Sequence, residues 1–455
     1  MSASPSVLWF RRDLRFHDHP ALAKAAGKGP VLALFVVDPA LMRPAGLPRR
    51  AFLIRTLHDM DRRLHARGSN LVVRCGPPEQ VVPEVASLVG AAEVHISADF
   101  GPYGAARDRR VADALGTVTL VPTGSPYAVS PPRLTTTSGG PYKVFTPFFR
   151  AWHRHGWPNP AASDIQTVEW LSSPSEGIPD EPALPPGLQL PAAGEESGQE
   201  AWLHFRGGHL RGYRSERDRP DLDVTSRLSP YLHVGSLHPR TLLSALGPDD
   251  ERFITELAWR EFYASVLWFW PESARDGFNA RMSGLAFDEG PDADALFEEW
   301  CEGRTGYPII DAGMRQLKAE AWMHNRVRML VASFLVKDLH LHWRRGARHF
   351  MRALVDGDLA SNQHGWQWAA GTGTDASPYF RIFNPVIQSK RFDPEGDYIR
   401  RWVPELRGVS APYVHEPWRS PSPLGYVGPI VDHDVERKRS LAAYAALPRN
   451  ESPSK

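Results

Sequence analysis

The chain has 455 residues and a formal net charge of +1, and hydrophobic residues make up 42% of it. This length exceeds what one hydrophobic core usually spans, so we expect two domains. The balance of 53 basic against 52 acidic residues excludes a polybasic nucleic-acid-binding protein, so any DNA-binding surface must be a local patch.

Residues 5–132 are predicted to form an α/β domain with a doubly wound parallel sheet. Short apolar runs indicate buried strands, and the amphipathic segments between them indicate helices. The predicted strands are 7–10, 31–37, 71–75, 94–97 and 118–121, and the predicted helices are 20–26, 50–67, 78–88 and 105–115.

The loop after the first strand reads Arg11-Arg12-Asp13-Leu14-Arg15 and contains no glycine-rich dinucleotide motif. Ligands of open parallel sheets bind at the carboxyl ends of strands, where this loop lies. A solvated charged loop is the alternative interpretation.

Residues 133–200 are predicted to be an interdomain linker, because 158–199 are rich in Pro, Ser, Glu and Gly. Residues 201–455 are predicted to be all-α. Apolar residues recur there at helical spacing in 253–270, 293–301, 312–319 and 325–335, and 435–447 is a further helix candidate.

Three stretches of the helical domain contain polar residues that could bind a ligand. Residues 225–229 offer hydroxyls and amides entering a helix, which suits a pyrophosphate or a plain helix cap. In 253–263, Glu256, Trp259, Arg260 and Tyr263 recur on one side, where an amphipathic core helix is the alternative. Residues 356–375 combine carboxylates, amides, tryptophans and glycines, which indicates either a segment wrapped around a large flat polar ligand or a buried loop.

Cys75 and Cys301 lie far apart and outside any paired motif. This arrangement favours a reducing compartment and argues against zinc or iron–sulfur ligation. No apolar run approaches the roughly 20 residues that cross a membrane, and no signal peptide is recognisable. We therefore predict a cytoplasmic protein without a metal site.

The stretches 8–15, 225–230, 253–263, 322–329 and 356–385 together resemble the DNA photolyase and cryptochrome family, and the resemblance covers about 6–445. It implies a class I enzyme that repairs cyclobutane pyrimidine dimers in DNA with light and reduced FAD. A cryptochrome-like blue-light photoreceptor without repair activity is the main alternative, and a light-independent flavoprotein reductase is a third. The expected partner is damaged DNA, and we expect a monomer.

The resemblance also implies a role for individual residues of a folded FAD site. Asn362 corresponds to the residue facing the reactive flavin nitrogen, where a neutral amide favours repair over sensing. Arg328 is expected to pair with Asp356. The implied cofactor-binding residues are Tyr213, Thr225, Ser226, Arg227, Leu228, Ser229, Phe253, Arg328, Asp356, Gly357, Asp358 and Asn362.

For the substrate, the resemblance implies that Glu256 and Asn325 hydrogen-bond the dimer while Trp259 and Met329 pack against it. The residues expected to contact DNA are Arg217, Glu256, Trp259, Arg260, Tyr263, Asn325, Arg326 and Trp368. A basic run at 343–348 is expected to follow DNA phosphates near the cavity mouth.

Trp366 and Trp343 correspond to the inner members of the family's electron-transfer chain, but Phe287 stands where an outer tryptophan is expected. The family also carries a second, light-harvesting chromophore in its first domain. Arg50 and the segment 99–104 favour 8-hydroxydeazaflavin over methenyltetrahydrofolate, because the folate type has an acidic residue where this chain has Gly104.

Overall fold

The computed structural model describes residues 4–376, 378, 381–422 and 425–447. Within these residues an α/β domain precedes a domain built from helices, which confirms the predicted fold class. The predicted domain boundaries at 132 and 200 remain a prediction.

The sheet has six strands, and five of them follow the order β3-β2-β1-β4-β5 with parallel pairing throughout. These five begin and end within one residue of their predicted positions, because parallel strands buried on both faces are near-continuous apolar runs. The strands are β1 (Ser6–Phe10), β2 (Val31–Val37), β3 (Val72–Cys75), β4 (Glu93–Ile96), β5 (Thr119–Pro122) and β6 (Trp170–Leu171).

The short strand β6 comes from the stretch predicted as linker, and it pairs in parallel with Val31 and Leu32 at the start of β2. Two residues are too few to show a periodicity, so sequence reasoning missed this strand. The stretch also contains a helix, Phe145–His155, and the next helix begins at Glu195, before the predicted start of the helical region.

The helices of the first domain and the connecting stretch are α1 (Pro20–Ala26), α2 (Pro39–Met42), α3 (Leu47–His65), α4 (Pro78–Leu88), α5 (Pro102–Ala114) and α6 (Phe145–His155). The helices that follow are α7 (Glu195–Gly208), α8 (Tyr213–Glu216), α9 (Ser229–Val234), α10 (Pro239–Leu243), α11 (Glu251–Phe269), α12 (Pro291–Glu302), α13 (Pro308–Glu320), α14 (Asn325–Lys337), α15 (Trp343–Ala353), α16 (Leu359–Ala370), α17 (Pro385–Phe392), α18 (Asp397–Trp402), α19 (Ala411–Val414) and α20 (His433–Ala445). No helix among these combines the length and apolar character needed to cross a bilayer.

Alternation along β1 decides which core each side chain joins. Val7 and Trp9 face a core formed with α4 and α5. Leu8 and Phe10 face the opposite side, where the core continues through Phe253 and Phe262 of α11. One hydrophobic core therefore extends from the sheet into the helical domain, and a second core holds α12–α16 together.

Buried polar contacts reinforce this junction. Asp18 has no exposed surface, and its carboxylate accepts hydrogen bonds from Arg240 at 2.7 Å and Thr241 at 2.9 Å. Gly235 ends α9 with φ +79°, and a Cβ there would overlap the backbone of Arg12. The position therefore requires glycine both for its backbone conformation and for the close approach.

Glu261 of α11 joins the same junction. It is 2% exposed, and its carboxylate accepts from the backbone N–H groups of Ala128 and Val129 at 2.5 and 3.0 Å and from Trp152 Nε1 at 2.6 Å. Three donors from two other segments thus satisfy a buried carboxylate, as a charge removed from water requires.

Candidate active site

The hydroxyl-rich segment lies directly before α9, as the sequence indicates. Ser229 is the first residue of α9, Leu228 is buried, and Ser226 is half-buried. Thr225 Oγ1 is buried and has no hydrogen-bond partner within the described part of the chain. Because buried hydroxyls are normally satisfied, this atom is available to an anionic ligand.

Arg227, in the middle of that segment, has a left-handed backbone with φ +50°. Its guanidinium pairs with Asp223 at 2.7 Å and Glu320 at 3.1 Å and lies over the ring of Trp322. The side chain is therefore committed to protein contacts, and the residue offers a ligand mainly its backbone.

Tyr213 of α8 and Phe253 of α11 are buried together. Their rings meet edge to face with centroids 5.3 Å apart, and Phe205 packs against both at 5.6 and 5.0 Å. These aromatic rings form an apolar wall beside the segment 225–229.

The predicted ion pair between Arg328 of α14 and Asp356 is present at 2.9 Å. Arg328 Nε also donates to the carbonyl of Met323 at 2.8 Å, which fixes the guanidinium. The second oxygen of Asp356, Oδ1, is buried without a partner among the described residues. An acceptor of this kind can receive a ring N–H of a ligand.

Gly357 is buried, and a Cβ at this position would approach the Arg49 side chain at 3.2 Å. Asp358 begins α16 as its N-cap, where Oδ1 accepts from the Ser361 N–H at 3.0 Å and Oδ2 pairs with Arg12 at 2.7 Å. Burial acts to raise the pKa of Asp358, but Arg12, Arg260 and His233 hold that pKa well below its usual range. The carboxylate is thus ionised and ties the two domains together.

Asn362 lies one turn into α16 and is 9% exposed. Its Nδ2 donates to the backbone carbonyl of Ala347 at 3.1 Å and to Gln363 Oε1 at 3.0 Å. Gln363 Nε2 in turn donates to the Ala274 carbonyl at 2.5 Å.

The polar side of α11 has the composition expected from the sequence. Glu256 pairs with Arg217, and with Arg252 at 3.0 Å one turn earlier in the helix. Arg217 is also 3.8 Å from Asp218, whose carboxylate pairs with Arg326 of α14 at 2.8 Å. Alternating charges therefore connect α11 with the start of α14.

Trp259 stacks face to face on Phe145 of α6, with ring centroids 3.7 Å apart and planes 5° from parallel. Tyr263, one turn further along α11, packs against Trp259 at 5.3 Å and stacks on His364 of α16 at 5.3 Å. These contacts bring the aromatic face of α11 to the helix that carries Asn362.

Arg260 makes contacts within the protein, and its predicted contact with DNA stays a prediction. Its guanidinium donates to the carbonyls of Pro126 at 2.9 Å and Leu232 at 3.1 Å and lies over the ring of Tyr127. Two of its donors therefore bind buried backbone carbonyls and hold the side chain in place.

The start of α14 presents the remaining predicted substrate residues. Asn325 is the first helical residue and is exposed, while Met329 is half-buried one turn later. His324 is the N-cap, and its Nδ1 accepts from the Arg326 N–H at 3.2 Å. Arg326 lies over the ring of Phe392 at 4.4 Å.

The two predicted electron-transfer tryptophans are buried, Trp366 at 3% and Trp343 at 2% exposure. The ring of Trp366 meets Phe350 at 5.0 Å and Trp300 at 6.0 Å. The sequence did not single out Trp300, although it is a fully buried aromatic neighbour of Trp366. A lone tryptophan in a helix does not indicate which ring it will contact.

Two more predicted positions lie near these tryptophans. Phe287 packs against His342 at 4.6 Å, and His342 packs against Trp343 at 5.8 Å. Trp368 is half-buried against the second core.

Two arginines of the basic run at 343–348 form ion pairs within the protein, and the predicted role of the run along DNA phosphates stays a prediction. Arg344 pairs with Asp276 at 2.5 Å, and Arg345 pairs with Asp294 at 2.7 Å. Arg348 instead lines a cavity between the domains.

That interdomain cavity has a volume of about 1200 Å³. Arg50 and the segment 99–104, predicted to face a second chromophore, both line it. Trp9 forms an aromatic wall with Arg11 at 4.6 Å and Arg107 at 5.1 Å from its ring. The cationic lining residues, which outnumber the carboxylates, are Arg11, Arg12, Arg43, Arg49, Arg50, Arg107, Lys318, Arg348 and Arg352.

Comparison with known proteins matches both parts of the chain to one family. A family model described as DNA photolyase matches residues 6–165, and one described as the FAD binding domain of DNA photolyase matches residues 253–446. The deoxyribodipyrimidine photo-lyase of Streptomyces griseus is 41% identical over 457 residues, which cover 96% of this chain and 98% of that protein. The corresponding enzyme of Halobacterium salinarum is 39% identical with the same coverage.

Solved structures agree with this match. A class III photolyase from Agrobacterium tumefaciens superposes with a TM-score of 0.88 at 36% identity, covering 98% of both chains. A photolyase from Sulfolobus tokodaii, solved with two FAD molecules, gives a TM-score of 0.86 at 29% identity and covers 97% of this chain and all of that one.

Proposed function

The chain belongs to the DNA photolyase family, and from that membership we propose that it repairs cyclobutane pyrimidine dimers in DNA by light-driven electron transfer from reduced FAD. Its relatives carry the name deoxyribodipyrimidine photo-lyase, so its enzyme class is a carbon–carbon lyase acting in DNA repair. Within the family we propose the class I type; Asn325 and Met329 favour cyclobutane dimers as the substrate, and Asn362 favours repair over sensing.

The main support for this proposal is a set of three contacts. They join the helices that bear the proposed flavin residues to those that bear the proposed substrate residues. Arg328–Asp356 connects α14 to the segment that begins α16. Tyr263 stacks on His364 and so connects α11 to α16. The charge chain from Glu256 to Arg326 connects α11 to α14.

The described residues fit FAD. Thr225 Oγ1 and Asp356 Oδ1 are buried polar atoms without partners among the residues that the structure describes, one in the hydroxyl-rich segment and one in the carboxylate segment. Thr225, Ser226 and Ser229 would hold the phosphates. Asp356, Asp358 and Asn362 would hold the polar edge of the ring system, and bound FAD would supply the light absorption and the electron that opens the dimer.

The chain's own residues would bind and orient the dimer. The Glu256 side chain is 26% exposed, and both arginines contact its Oε1, so Oε2 can accept a hydrogen bond from a base. Asn325 is exposed at a helix start and can donate from its amide. Trp259, which is half-buried and stacked on Phe145, would pack against a flipped-out base with the exposed part of its ring.

Trp366 and Trp343 would relay electrons that restore the reduced cofactor. Both are buried, so water does not compete for contact with their rings. Phe287 is a poor redox residue, and the outermost relay position therefore remains open in this chain.

The rival functions differ in light response and in repair. A cryptochrome from Synechocystis superposes with a TM-score of 0.82 at 27% identity, so the fold alone does not separate repair from sensing. The test is to mix the reduced protein with thymine-dimer DNA, illuminate it, and follow the recovery of thymine absorbance against a dark control. Recovery only in light supports repair, whereas no recovery with FAD bound favours a sensor. Turnover of a nicotinamide substrate in the dark would favour a reductase.

The interdomain cavity would hold the second chromophore. The folate pattern has an acidic residue where this chain has Gly104, which leaves 8-hydroxydeazaflavin as our proposal. The cationic wall would also accept the phosphates of a flavin nucleotide. Extracting the bound chromophores and recording their spectra distinguishes these ligands.

A further inference from the structure

The hydrogen bonds around Asn362 allow only one orientation of its side-chain amide. The Ala347 carbonyl can only accept, so the atom 3.1 Å from it must be the amide nitrogen of Asn362. At the other end, the Ala274 carbonyl can only accept, so the atom 2.5 Å from it must be Gln363 Nε2. Gln363 Oε1 therefore faces Asn362, where it accepts from Nδ2 at 3.0 Å.

Two fixed carbonyls thus determine the orientation of both side-chain amides. The two protons of Asn362 Nδ2 are both used, one by Ala347 and one by Gln363. The group that Asn362 has left to offer a ligand is its carbonyl oxygen Oδ1, because turning the amide over would place this oxygen against two acceptors.

We infer that Gln363 is a positioning residue that presents the Asn362 carbonyl to the reactive nitrogen of the flavin. This inference rests on the proposed function, in which Asn362 faces that nitrogen. A reduced flavin carries a hydrogen on this nitrogen, whereas the oxidised ring has a lone pair there. A carbonyl oxygen accepts from the former and repels the latter, so the orientation set by Gln363 favours the reduced cofactor that repair needs.

The test is the midpoint potential of the bound FAD in wild type and in Gln363→Met. Methionine has a similar length and no acceptor oxygen, and Gln363 borders the interdomain cavity, so the exchange needs little repacking. With one acceptor gone, we expect the ratio of reduced to oxidised flavin at a fixed potential to fall about tenfold. For a two-electron couple this is a shift of about 30 mV to more negative potential.

Gln367→Met is the matched control. Gln367 lies one turn further along α16, is fully buried, and binds Ser273 O and the Phe278 N–H without contacting Asn362. We expect its potential to equal that of wild type. An unchanged potential in Gln363→Met, or an equal shift in both variants, would overturn the inference while leaving the proposed function standing. Protein that cannot bind FAD would overturn both.

A second measurement is made on the wild-type protein, so it does not require that Gln363→Met folds. In wild-type holoprotein labelled with ¹⁵N-asparagine, both side-chain amide protons of Asn362 should exchange slowly with water, because each is hydrogen-bonded. The resonance is assigned by its loss in Asn362→Ser. Fast exchange of either proton would contradict the arrangement.

Discussion

His324 should make the stability of this protein depend on pH between about 4 and 6.5. It is 2% exposed and caps α14 through Nδ1, while its Nε2 is buried without a partner in the described residues. Burial lowers the pKa of His324 from 6.5 to about 4, with Arg326 and Arg217 acting in the same direction and Asp218 opposing them. The folded protein therefore resists protonating this ring.

The direction of this pH dependence follows from whether the folded or the unfolded chain binds more protons. Between pH 6.5 and 4 the unfolded chain protonates His324 and the folded chain does not, so stability falls as the pH is lowered through this window. At about 1.4 kcal/mol per pH unit, the loss attributable to His324 is about 2 kcal/mol at pH 5 and approaches about 3 kcal/mol below pH 4. Above pH 7 this loss of stability is absent, because His324 is neutral in both the folded and the unfolded chain.

His324→Asn isolates this effect, because asparagine is a good N-cap that does not titrate in this range. We expect the variant to unfold in urea near the wild-type midpoint at pH 8, and to lose about 2 kcal/mol less than wild type on transfer to pH 5. His65→Asn, at a position where 65% of the side chain is exposed, controls for removing a histidine. Equal losses in wild type and His324→Asn would refute the reasoning.

Three further outcomes are expected. Glu256→Ala should lower the repair yield about tenfold, the effect of about 1.4 kcal/mol, and leave the absorbance of bound FAD unchanged; loss of FAD would contradict the placement of Glu256. Trp366→Phe should block photoreduction yet retain repair after chemical reduction of the cofactor, and an equal loss of both in these two assays would refute the relay. Glu261→Gln should reduce the free energy of unfolding in urea by about 2–4 kcal/mol, since an amide cannot accept from all three donors; a wild-type midpoint would show that the buried carboxylate is dispensable.

The sequence predicted the sheet and most of the long helices closely because their apolar periodicity is a local property. It did not predict α7, α15 or α16, and α16 lies in the stretch 356–375 that was interpreted as a wrapped segment or loop. The ion pair between Arg328 and Asp356 was also predictable, since family resemblance named both partners. The partners of Arg260, Arg344 and Arg345 within the protein were not predictable. A sequence shows that a cation is present but not which acceptor reaches it, and here Pro126 O, Leu232 O, Asp276 and Asp294 lie far away in the chain.

The amide orientation at Asn362 was equally out of reach. It depends on the backbone carbonyls of Ala274 and Ala347. The residue types in a sequence do not show where such backbone groups will lie. The strand β6 was missed for a related reason, because its two residues take their conformation from β2.

The core that runs from Leu8 of β1 to Phe262 of α11 has a consequence for how the protein can be divided. If expressed alone, the first domain would expose a bare apolar sheet face to water, and the helical part would retain Glu261 without the N–H donors of Ala128 and Val129. Chimaeras that join the first domain of one relative to the helical domain of another should therefore aggregate unless the residues that meet at this junction come from the same relative.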